Sequence, residues 1–412
     1  MHRLLLPFAL SAALLLTAPL SAEDWPQFRG PDGMGHSSDS KVPTEWSRSK
    51  NVKWSSRIDG QAWSSPIVIG AAVYVTTAVE RGGDTSLRVI GLKASDGKEV
   101  WDTEVFKMET VKQHKKNSQA SPTPVYEDGK IYAHFGHYGT AAVDAKTGEV
   151  LWKQESLKYE PVHGTGSSPI LVGDHLIFSA DGAKDPLLIA LDKSTGSIAW
   201  KTPREIEVSR KFSFATPLAI EVDGKTQIIS PASGAVVAYD PESGKEIWRV
   251  GYGEGYSVVP RPVYADGLLY VCSGFNKAII YAIKPGGKGD LTDSNIVWKY
   301  EKSVPKESSP IVVDGIVYMN ADSSVATALD GKTGEEIWQS RIAKGSYSAS
   351  PVYAGGHIYF QNEDGITTVI KPGREFEKVA ENDIGEHGLS SFAVADGSFF
   401  IRTDKELVRV GE

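Results

Sequence analysis

AVDAKTGEVLW (142–152), ALDKSTGSIAW (190–200), AYDPESGKEIW (238–248) and ALDGKTGEEIW (328–338) are four copies of one pattern. Each copy has a small Ala in a strand, an Asp at the head of a turn, a Gly suited to positive φ, and a second strand that ends in Trp. A repeat of about 40 to 50 residues built from short strands and tight turns is typical of a β-propeller.

A second marker opens each unit, in which a Pro is followed eight residues later by a large apolar residue, as in Pro66 with Tyr74. A turn dipeptide such as Asp128-Gly129 separates most pairs, and this is a strong hairpin signal. The two markers together predict eight units. The units begin at Pro66, Pro124, Pro169, Pro217, Pro262, Pro310, Pro351 and, in degraded form, Phe392.

Each unit contains four strand-like segments, except that the last has only FAVAD, SFFIRTD and ELVRVGE. One strand-like segment with a Trp, NVKWSSRI (51–58), stands alone before the first unit. An incomplete sheet would leave backbone groups unpaired, so we expect residues 51–58 to complete the eighth blade. The sequence thus predicts an all-β, eight-bladed β-propeller of four-stranded antiparallel blades over residues 51–412, preceded by an extended arm at 23–50.

Repeated tryptophans end the fourth strand of most units. A binding site is needed once, whereas a wedge between blades is needed once per blade, so we interpret these residues as structural docking groups. They are Trp101, Trp152, Trp200, Trp248, Trp298 and Trp338.

Residues 1–22, MHRLLLPFALSAALLLTAPLSA, have a basic start, an apolar centre and small residues before an acidic segment. This pattern is typical of a cleaved signal peptide rather than a transmembrane anchor. No Cys lies nearby to accept a lipid. We therefore expect a periplasmic or secreted protein without a transmembrane segment.

The formal net charge of −8, with no basic stripe, argues against nucleic acid as a partner. The chain has a single cysteine, Cys272, which excludes an internal disulfide and is expected to be buried in the second strand of blade five. We expect a monomer.

The connections of a four-stranded meander alternate between the two faces of the disc. Here the first-to-second and third-to-fourth turns are short, whereas the other connections are long and varied. Variable loops on a rigid scaffold commonly carry binding sites. We therefore expect any site on the long-loop face, around the central channel.

The long loops before each innermost strand carry charged or aromatic residues that could bind a polar or anionic ligand, with Arg210 and Arg261 as carboxylate clamps. The alternative is a solvated rim without a ligand. The candidates are His163, Arg210, Tyr256, Arg261, Glu307, Tyr347 and His387, together with His114.

Metal binding has little support in the sequence. His134 and His137 are three residues apart in a turn, where helical spacing does not apply, and no Cys-x-x-Cys or His-Glu-x-x-His motif occurs. We predict no metal site. The arm, 24–46, is expected to pack on the disc, or alternatively to cap one channel mouth with Arg29 pointing inward.

The repeated Ala-x-Asp-x-x-x-Gly-x-x-x-Trp units resemble the tryptophan-docking repeat of the pyrroloquinoline-quinone (PQQ) type β-propellers. The fifth unit is stretched by PGGKGDLTDSN, and the seventh, VIKPGREFEKV, lacks the Trp. One branch of that family consists of quinoprotein dehydrogenases, which hold PQQ and calcium and usually have an adjacent Cys pair. The other resembles the propeller subunit of the outer-membrane protein assembly machine, which has no cofactor.

The absence of a Cys pair and of alignable calcium ligands favours the second branch. The resemblance implies a non-catalytic binding or scaffold protein that binds a protein partner or a small polar ligand. The alternative is a dehydrogenase that uses PQQ and calcium to oxidise an alcohol or sugar.

Overall fold

The computed structural model describes residues 23–111 and 114–412, so the interpretation of 1–22 as a signal peptide lies outside the described residues. The described chain forms eight antiparallel sheets, each built around four consecutive strands a to d. Buried apolar side chains form clusters between neighbouring sheets, as where Val89 of one sheet meets Ile131 and Val143 of the next. The protein is an eight-bladed, all-β propeller.

The strands follow the chain order around the ring. Blades 1 and 2 consist of β2 (Ile67–Ile69), β3 (Ala72–Arg81), β4 (Asp84–Lys93) and β5 (Glu99–Glu109), then β6 (Val125–Glu127), β7 (Lys130–His134), β8 (Thr140–Asp144) and β9 (Val150–Gln154). Blades 3 and 4 consist of β10 (Ile170–Val172), β11 (His175–Ala180), β12 (Leu187–Asp192) and β13 (Ile198–Pro203), then β14 (Leu218–Val222), β15 (Lys225–Pro231), β16 (Ala235–Tyr239) and β17 (Glu246–Gly251). A short 3-10 helix, Gly136–Tyr138, lies in the b-to-c connection of blade 2.

Blades 5 and 6 consist of β18 (Val263–Ala265), β19 (Leu268–Cys272), β20 (Ile280–Ile283) and β22 (Ile296–Tyr300), then β23 (Ile311–Val313), β24 (Ile316–Asn320), β25 (Val325–Asp330) and β26 (Glu336–Arg341). Blades 7 and 8 consist of β27 (Val352–Ala354), β28 (His357–Gln361), β29 (Ile366–Lys371) and β30 (Glu377–Asp383), then β31 (Ala393–Ala395), β32 (Ser398–Arg402), β33 (Glu406–Gly411) and β1 (Val52–Arg57). Cys272, at the end of β19, is 1% exposed.

The eighth blade joins the two ends of the propeller. Strand β1 pairs antiparallel with β33, from Val52 opposite Val410 to Arg57 opposite Glu406. It thereby supplies the fourth strand that the last unit lacks.

Except for Trp248, each docking tryptophan donates its indole N–H to a carbonyl in the c-to-d turn of the next blade. The Nε1 atom of Trp101 lies 3.1 Å from Ala145 O, and that of Trp152 lies 3.1 Å from Lys193 O. Trp54 of β1 makes the equivalent bond to Ala94 O at 2.9 Å and docks blade 8 onto blade 1. The same bond joins Trp200 to Pro241, Trp298 to Gly331, and Trp338 to Gly373.

The glycine of the repeat makes room for the tryptophan of the preceding blade. Gly196 has φ of +74°, and a Cβ there would lie 2.4 Å from Cε3 of Trp152. A Cβ at Gly148 would likewise lie 2.7 Å from Cδ2 of Trp101. Both the left-handed backbone and the close ring therefore require Gly in this turn.

Trp248 departs from the predicted pattern. Its Nε1 donates to Gln227 Oε1 of its own blade at 2.8 Å, not to blade 5. The stretched c-to-d connection of blade 5 adds β21 (Gly289–Asp290) parallel to β17, with Trp248 opposite Gly289. The inserted residues cover the outer edge of blade 4. Strand β21 therefore pairs with β17 at the place where an interblade hydrogen bond from Trp248 was expected.

The arm runs along the face of the a-to-b turns, called here the turn face, and closes this end of the channel. Trp25 pairs with Val68 of blade 1, and Pro26 O accepts a hydrogen bond from Tyr126 N of blade 2. Asp39 O accepts from Gly355 N of blade 7. The arm therefore both packs on the disc and caps one channel mouth.

Arg29 does not point at a channel ligand, contrary to the expectation for a capping arm. It is 2% exposed, and its Nη2 donates to Met34 O at 2.5 Å and to Pro310 O at 2.9 Å. Its guanidinium therefore fixes the arm to blade 6. Burial and the charge of Arg261 lower the pKa of Arg29 to about 9.

The arm also supplies the tryptophan that blade 7 lacks. In blades 1, 2, 5 and 6 the docking tryptophan packs against a strand-b tyrosine, as Trp338 does with Tyr318 at 5.9 Å between ring centroids. In blade 7 the corresponding strand-d position is Ala380, opposite Val369, and Trp46 of the arm stacks on Tyr359 at 6.0 Å instead.

The tyrosine hydroxyl in blade 7 is also satisfied by the arm. Tyr359 OH donates to Pro43 O of the arm at 3.3 Å. In blade 6, the equivalent Tyr318 OH donates to Gly373 O in the c-to-d turn of blade 7 at 3.4 Å. Residues 43–46 therefore substitute for an interblade contact.

We predict that Trp46→Ala lowers the free energy of unfolding by about 3–5 kcal/mol, because it removes a buried ring and opens a cavity. Adding Ala380→Trp should recover part of this loss by restoring the ring from strand d. Urea denaturation of both variants measures the effect. Val379→Ala is the control, since Val379 is 41% exposed and should cost about 0.5 kcal/mol or less. Unchanged stability of Trp46→Ala would contradict the role assigned to the arm.

Candidate functional site

A cavity of about 450 Å³ opens on the face that carries the b-to-c and d-to-a connections, called here the loop face. Its volume lies within the range of small-ligand sites. Residues from the loops before all eight a strands line it, and Phe28 of the arm contributes to its lining. The cavity is therefore a channel that is open on the loop face and closed on the turn face.

Seven hydroxyl side chains, called here the hydroxyl ring, surround the channel just before strand a of seven blades. Most accept a hydrogen bond from the preceding blade, as Thr123 Oγ1 does from Ser65 N at 2.9 Å and Ser350 Oγ from Ser309 N at 3.0 Å. A hydroxyl that accepts an amide N–H can still donate its own proton to a ligand. The ring consists of Ser65, Thr123, Ser168, Thr216, Ser309, Ser350 and Ser391.

One wall of the cavity, called here the cationic wall, combines two basic groups with two aromatic rings. The Arg210 guanidinium lies 3.6 Å from the ring centroid of Tyr256, and Lys306 Nζ lies 4.8 Å from that of Phe275. The two rings are adjacent because Phe275 N donates to Tyr256 O at 2.7 Å. Cation–π contacts thus hold both cations in place.

His163 extends the cationic wall. Its Nε2 lies 2.8 Å from Tyr256 OH, and its ring centroid lies 5.7 Å from that of His114. Burial, with the neighbouring charges of His114 and Arg210, lowers the pKa of His163. The imidazole is therefore neutral at pH 7, where it can hydrogen-bond without adding charge.

The opposite side of the cavity holds an ion-paired cluster. Lys116 Nζ lies 3.1 Å from Glu307 Oε1 and 2.9 Å from Glu363 Oε1. Ser348 Oγ lies 2.5 Å from Glu307 Oε2 and 2.7 Å from Glu363 Oε1, and its one proton is donated to either carboxylate. Burial lowers the pKa of Lys116, but the bonds to Glu363 and Glu307 outweigh it and leave this pKa raised. Lys116 comes from the loop before blade 2 and reaches across the channel to blades 6 and 7.

The structure brings four of the seven predicted site residues into the cavity lining: His163, Arg210, Tyr256 and Glu307. His114 lines it as well. His387 lies outside this lining, where its Nδ1 is 2.9 Å from Asp404 Oδ1 and its ring meets that of Trp63.

Two predicted residues do not reach the cavity, and their assignment is corrected here. Arg261 is 2% exposed, and its guanidinium donates to Phe28 O and Pro217 O at 2.5 and 3.1 Å, so it holds the arm instead of a ligand carboxylate. Tyr347 is fully buried and donates to Ala343 O at 2.7 Å, because its side chain turns into the interface between blades 6 and 7.

The sequence analysis missed the hydroxyl ring, Lys116, Lys306 and Phe275. The ring had a signal, since Ser or Thr directly precedes the opening Pro of most units, as in Ser65-Pro66 and Thr123-Pro124. The partners of Lys116 are 191 and 247 residues away in the chain, and no local pattern marks them.

The structure places His134 in the core of blade 2. His134 is 1% exposed, its Nδ1 lies 2.8 Å from Thr140 Oγ1, and its ring packs on Phe178. Within residues 23–111 and 114–412, no group of three or more His, Cys, Asp and Glu residues could hold a metal ion. The same described residues include no helix that is long and apolar enough to cross a membrane.

The family model for the outer membrane protein assembly factor BamB matches residues 45–202 and 232–375 of this chain. The chain belongs to this family of PQQ-repeat propellers. Among solved structures, BamB from Moraxella catarrhalis aligns with a TM-score of 0.61 over 86% of this chain and 98% of that chain, at 16% identity. This likeness supports the fold.

Curated relatives include both binding proteins and enzymes. BamB of Burkholderia pseudomallei is 25% identical over 80% of this chain and 83% of its own length. Tetrathionate hydrolase of Acidithiobacillus ferrooxidans is 24% identical over 57% of this chain, which spans only 50% of that enzyme. Quinoprotein ethanol dehydrogenase of Pseudomonas aeruginosa is 29% identical over 35% of this chain and 24% of its own length.

The channel residues do not fit the calcium ion that the quinoprotein branch implies. Calcium takes six to eight oxygen ligands, largely from carboxylates and carbonyls. The two neighbouring carboxylates in the cavity, Glu307 and Glu363, are bridged by the Lys116 ammonium, which takes the position that a cation would need. The donor set present is therefore that of an internal ion pair.

We predict that His134 makes the fold acid-sensitive. Burial, together with His137, lowers its pKa in the fold from 6.5 to about 3. Between these values the unfolded chain binds a proton that the folded chain does not, so stability is fully present above pH 6.5 and falls as the pH drops. From pH 7 to 5 the expected loss is about 2 kcal/mol.

Urea denaturation at several pH values tests this, with His134→Gln as the comparison. The variant should be less stable at pH 7 but should lose this part of the pH dependence. If both proteins show the same change between pH 7 and 5, His134 is not the responsible group.

Proposed function

We propose that this protein is an exported, non-catalytic binding protein that engages a protein partner or a small polar ligand through its loop face. The observation that carries the proposal is the closed-ended cavity, which presents the hydroxyl ring and the cationic wall on this face. The arm covers the turn face and leaves the loop face free. Export rests on the pattern of residues 1–22.

The bonding of the cavity hydroxyls supports a binding role. All hydroxyls of the hydroxyl ring except that of Ser65 accept a hydrogen bond from a backbone amide of a neighbouring blade, and in the described part of the chain none of the ring has a histidine partner that could act as a base. Ser348 contacts two glutamates that are already paired with Lys116. These contacts hold the loops in place, as a rigid binding surface requires.

The comparisons with known proteins also support a binding role. BamB of Burkholderia pseudomallei is matched over most of its length, whereas the chain covers half or less of the two enzymes described above. We therefore favour the assembly-factor branch, whose name implies a role among protein partners.

Site-specific cross-linking tests which face is used. Lys344 and Lys332 are exposed lysines of blade 6, on the loop face and the turn face respectively. Each is changed to Cys and labelled with a photo-activated cross-linker, while Cys272 stays unlabelled because burial hides its thiol and raises its pKa. After illumination with the native cell envelope, we expect a specific adduct from position 344 only. Equal adducts from both positions, or adducts from 332 alone, would contradict the proposal.

Titration with PQQ and calcium tests the dehydrogenase alternative. A ligand at 100 times its dissociation constant stabilises a protein by about 2.7 kcal/mol, which gives a clear rise in thermal midpoint. We expect no rise that depends on calcium, because Lys116 already occupies the carboxylate pair. PQQ without calcium is the control, and a saturable rise that requires both PQQ and calcium would support the dehydrogenase instead.

A further inference from the structure

The cations of the cationic wall are held by aromatic rings. Arg210 and Lys306 each lie over an aromatic ring, and no ion pair joins either to a carboxylate in 23–111 and 114–412. Lys116 in the same cavity is different, since it contacts two glutamates. The carboxylate of Asp322 accepts a hydrogen bond from Lys306 N at 3.1 Å and interacts with the Lys306 charge. The chain carries a formal net charge of −8, yet Arg210 holds a positive charge in this wall that no ion pair among the described residues neutralises.

The stacked geometry leaves the Arg210 guanidinium able to bind an oxyanion. A guanidinium that lies flat on a ring uses its face for the contact, and its N–H donors remain at the edge of the plane. These donors match the two oxygens of a carboxylate, and charge-assisted bonds of this kind are among the strongest in proteins. The free O–H groups of the hydroxyl ring can add further donors.

The local charges favour a carboxylate over a phosphate. Lys116 pairs with Glu307 and Glu363, and Asp322 interacts with Lys306, so Arg210 supplies the one positive charge without an acidic partner among the described residues. A carboxylate matches this single charge. A doubly charged phosphate would exceed it and would face these acidic groups.

The rest of the lining fits an apolar group beside that carboxylate. Trp63, Phe214, Phe275 and Leu389 line the same cavity. A volume of about 450 Å³ holds one or two amino-acid-sized groups.

We infer that the loop-face cavity binds a carboxylate next to an apolar group, with Arg210 and Lys306 as its ligands. This rests on the proposed binding function and specifies its chemistry. The carboxylate comes either from a chain segment of a protein partner or from a free small acid, and the two sources share the same recognition.

Calorimetric titration with matched probes tests the inference. N-acetyl-phenylalanine carries the carboxylate and the ring, and N-acetyl-phenylalaninamide is its neutral counterpart. A hexapeptide with one Glu next to one Phe and four Gly residues, blocked at both ends, represents a chain segment with a single carboxylate, and the same peptide with Gln in place of Glu is its neutral counterpart. We expect each acid to bind at least about tenfold more tightly than its neutral counterpart. Tighter binding of the hexapeptide points to a protein source, and tighter binding of the amino acid to a free acid.

Variants locate the site. Arg210→Gln and Lys306→Gln should each weaken binding of the acids by about 10- to 100-fold without changing binding of the neutral probes. Arg81→Gln is the control, since Arg81 is 79% exposed at the tip of β3 and should bind like the parent protein. Thermal midpoints of all variants check that they fold.

Two results would overturn the inference: equal binding of acids and neutral probes, including no binding of either, or unchanged affinity in both wall variants. These failures are separate from failure of the proposed function. If position 344 gives an adduct but no carboxylate binds, the proposed function stands and the carboxylate inference is wrong. If a carboxylate binds but adducts form only from position 332, the carboxylate site stands and the proposed docking face is wrong.

Discussion

The propeller depends on one repeated contact, in which an indole from strand d of one blade docks on the c-to-d turn of the next. The contact needs three groups: a Trp N–H that donates, a turn carbonyl that accepts, and a Gly that leaves room for the ring. An indole N–H buried without a partner would destabilise the interface, so the bond fixes how one blade sits on another. Repeated around the disc, this relation closes the ring, and Trp54 on β1 carries it across the junction between the two ends of the propeller.

Blades 4 and 7 depart from this contact, and these departures account for features that the other blades do not share. At blade 4, the inserted strand β21 of the blade 5 connection pairs with the outer strand β17, and Trp248 bonds within its own blade. At blade 7, the tryptophan is missing and Trp46 of the arm replaces it. The same arm places Phe28 at the closed end of the channel. The segment that completes the interface between blades therefore also makes the channel a cavity with a single opening.

The cavity separates paired from unpaired charge. On one side, Lys116 and two glutamates neutralise most of each other's charge and hold a loop across the channel. On the other side, Arg210 and Lys306 rest on aromatic rings, which fix their positions without neutralising them. Ligand selectivity in such a site depends more on this local arrangement than on the net charge of the protein, because opposite charges at short range interact far more strongly than distant ones.

The sequence by itself determined the number of blades and the docking tryptophans other than Trp248, because each blade repeats local requirements for turn, strand and wedge. It also placed His163, Arg210, Tyr256 and Glu307 on the correct face, since strand direction alternates predictably. Tertiary structure alone decided that Arg261 holds the arm, that Tyr347 is buried, that Trp46 replaces a missing wedge, and that Lys116 pairs with Glu307 and Glu363. These contacts join segments far apart in the chain and occur once each, so no periodic pattern could reveal them.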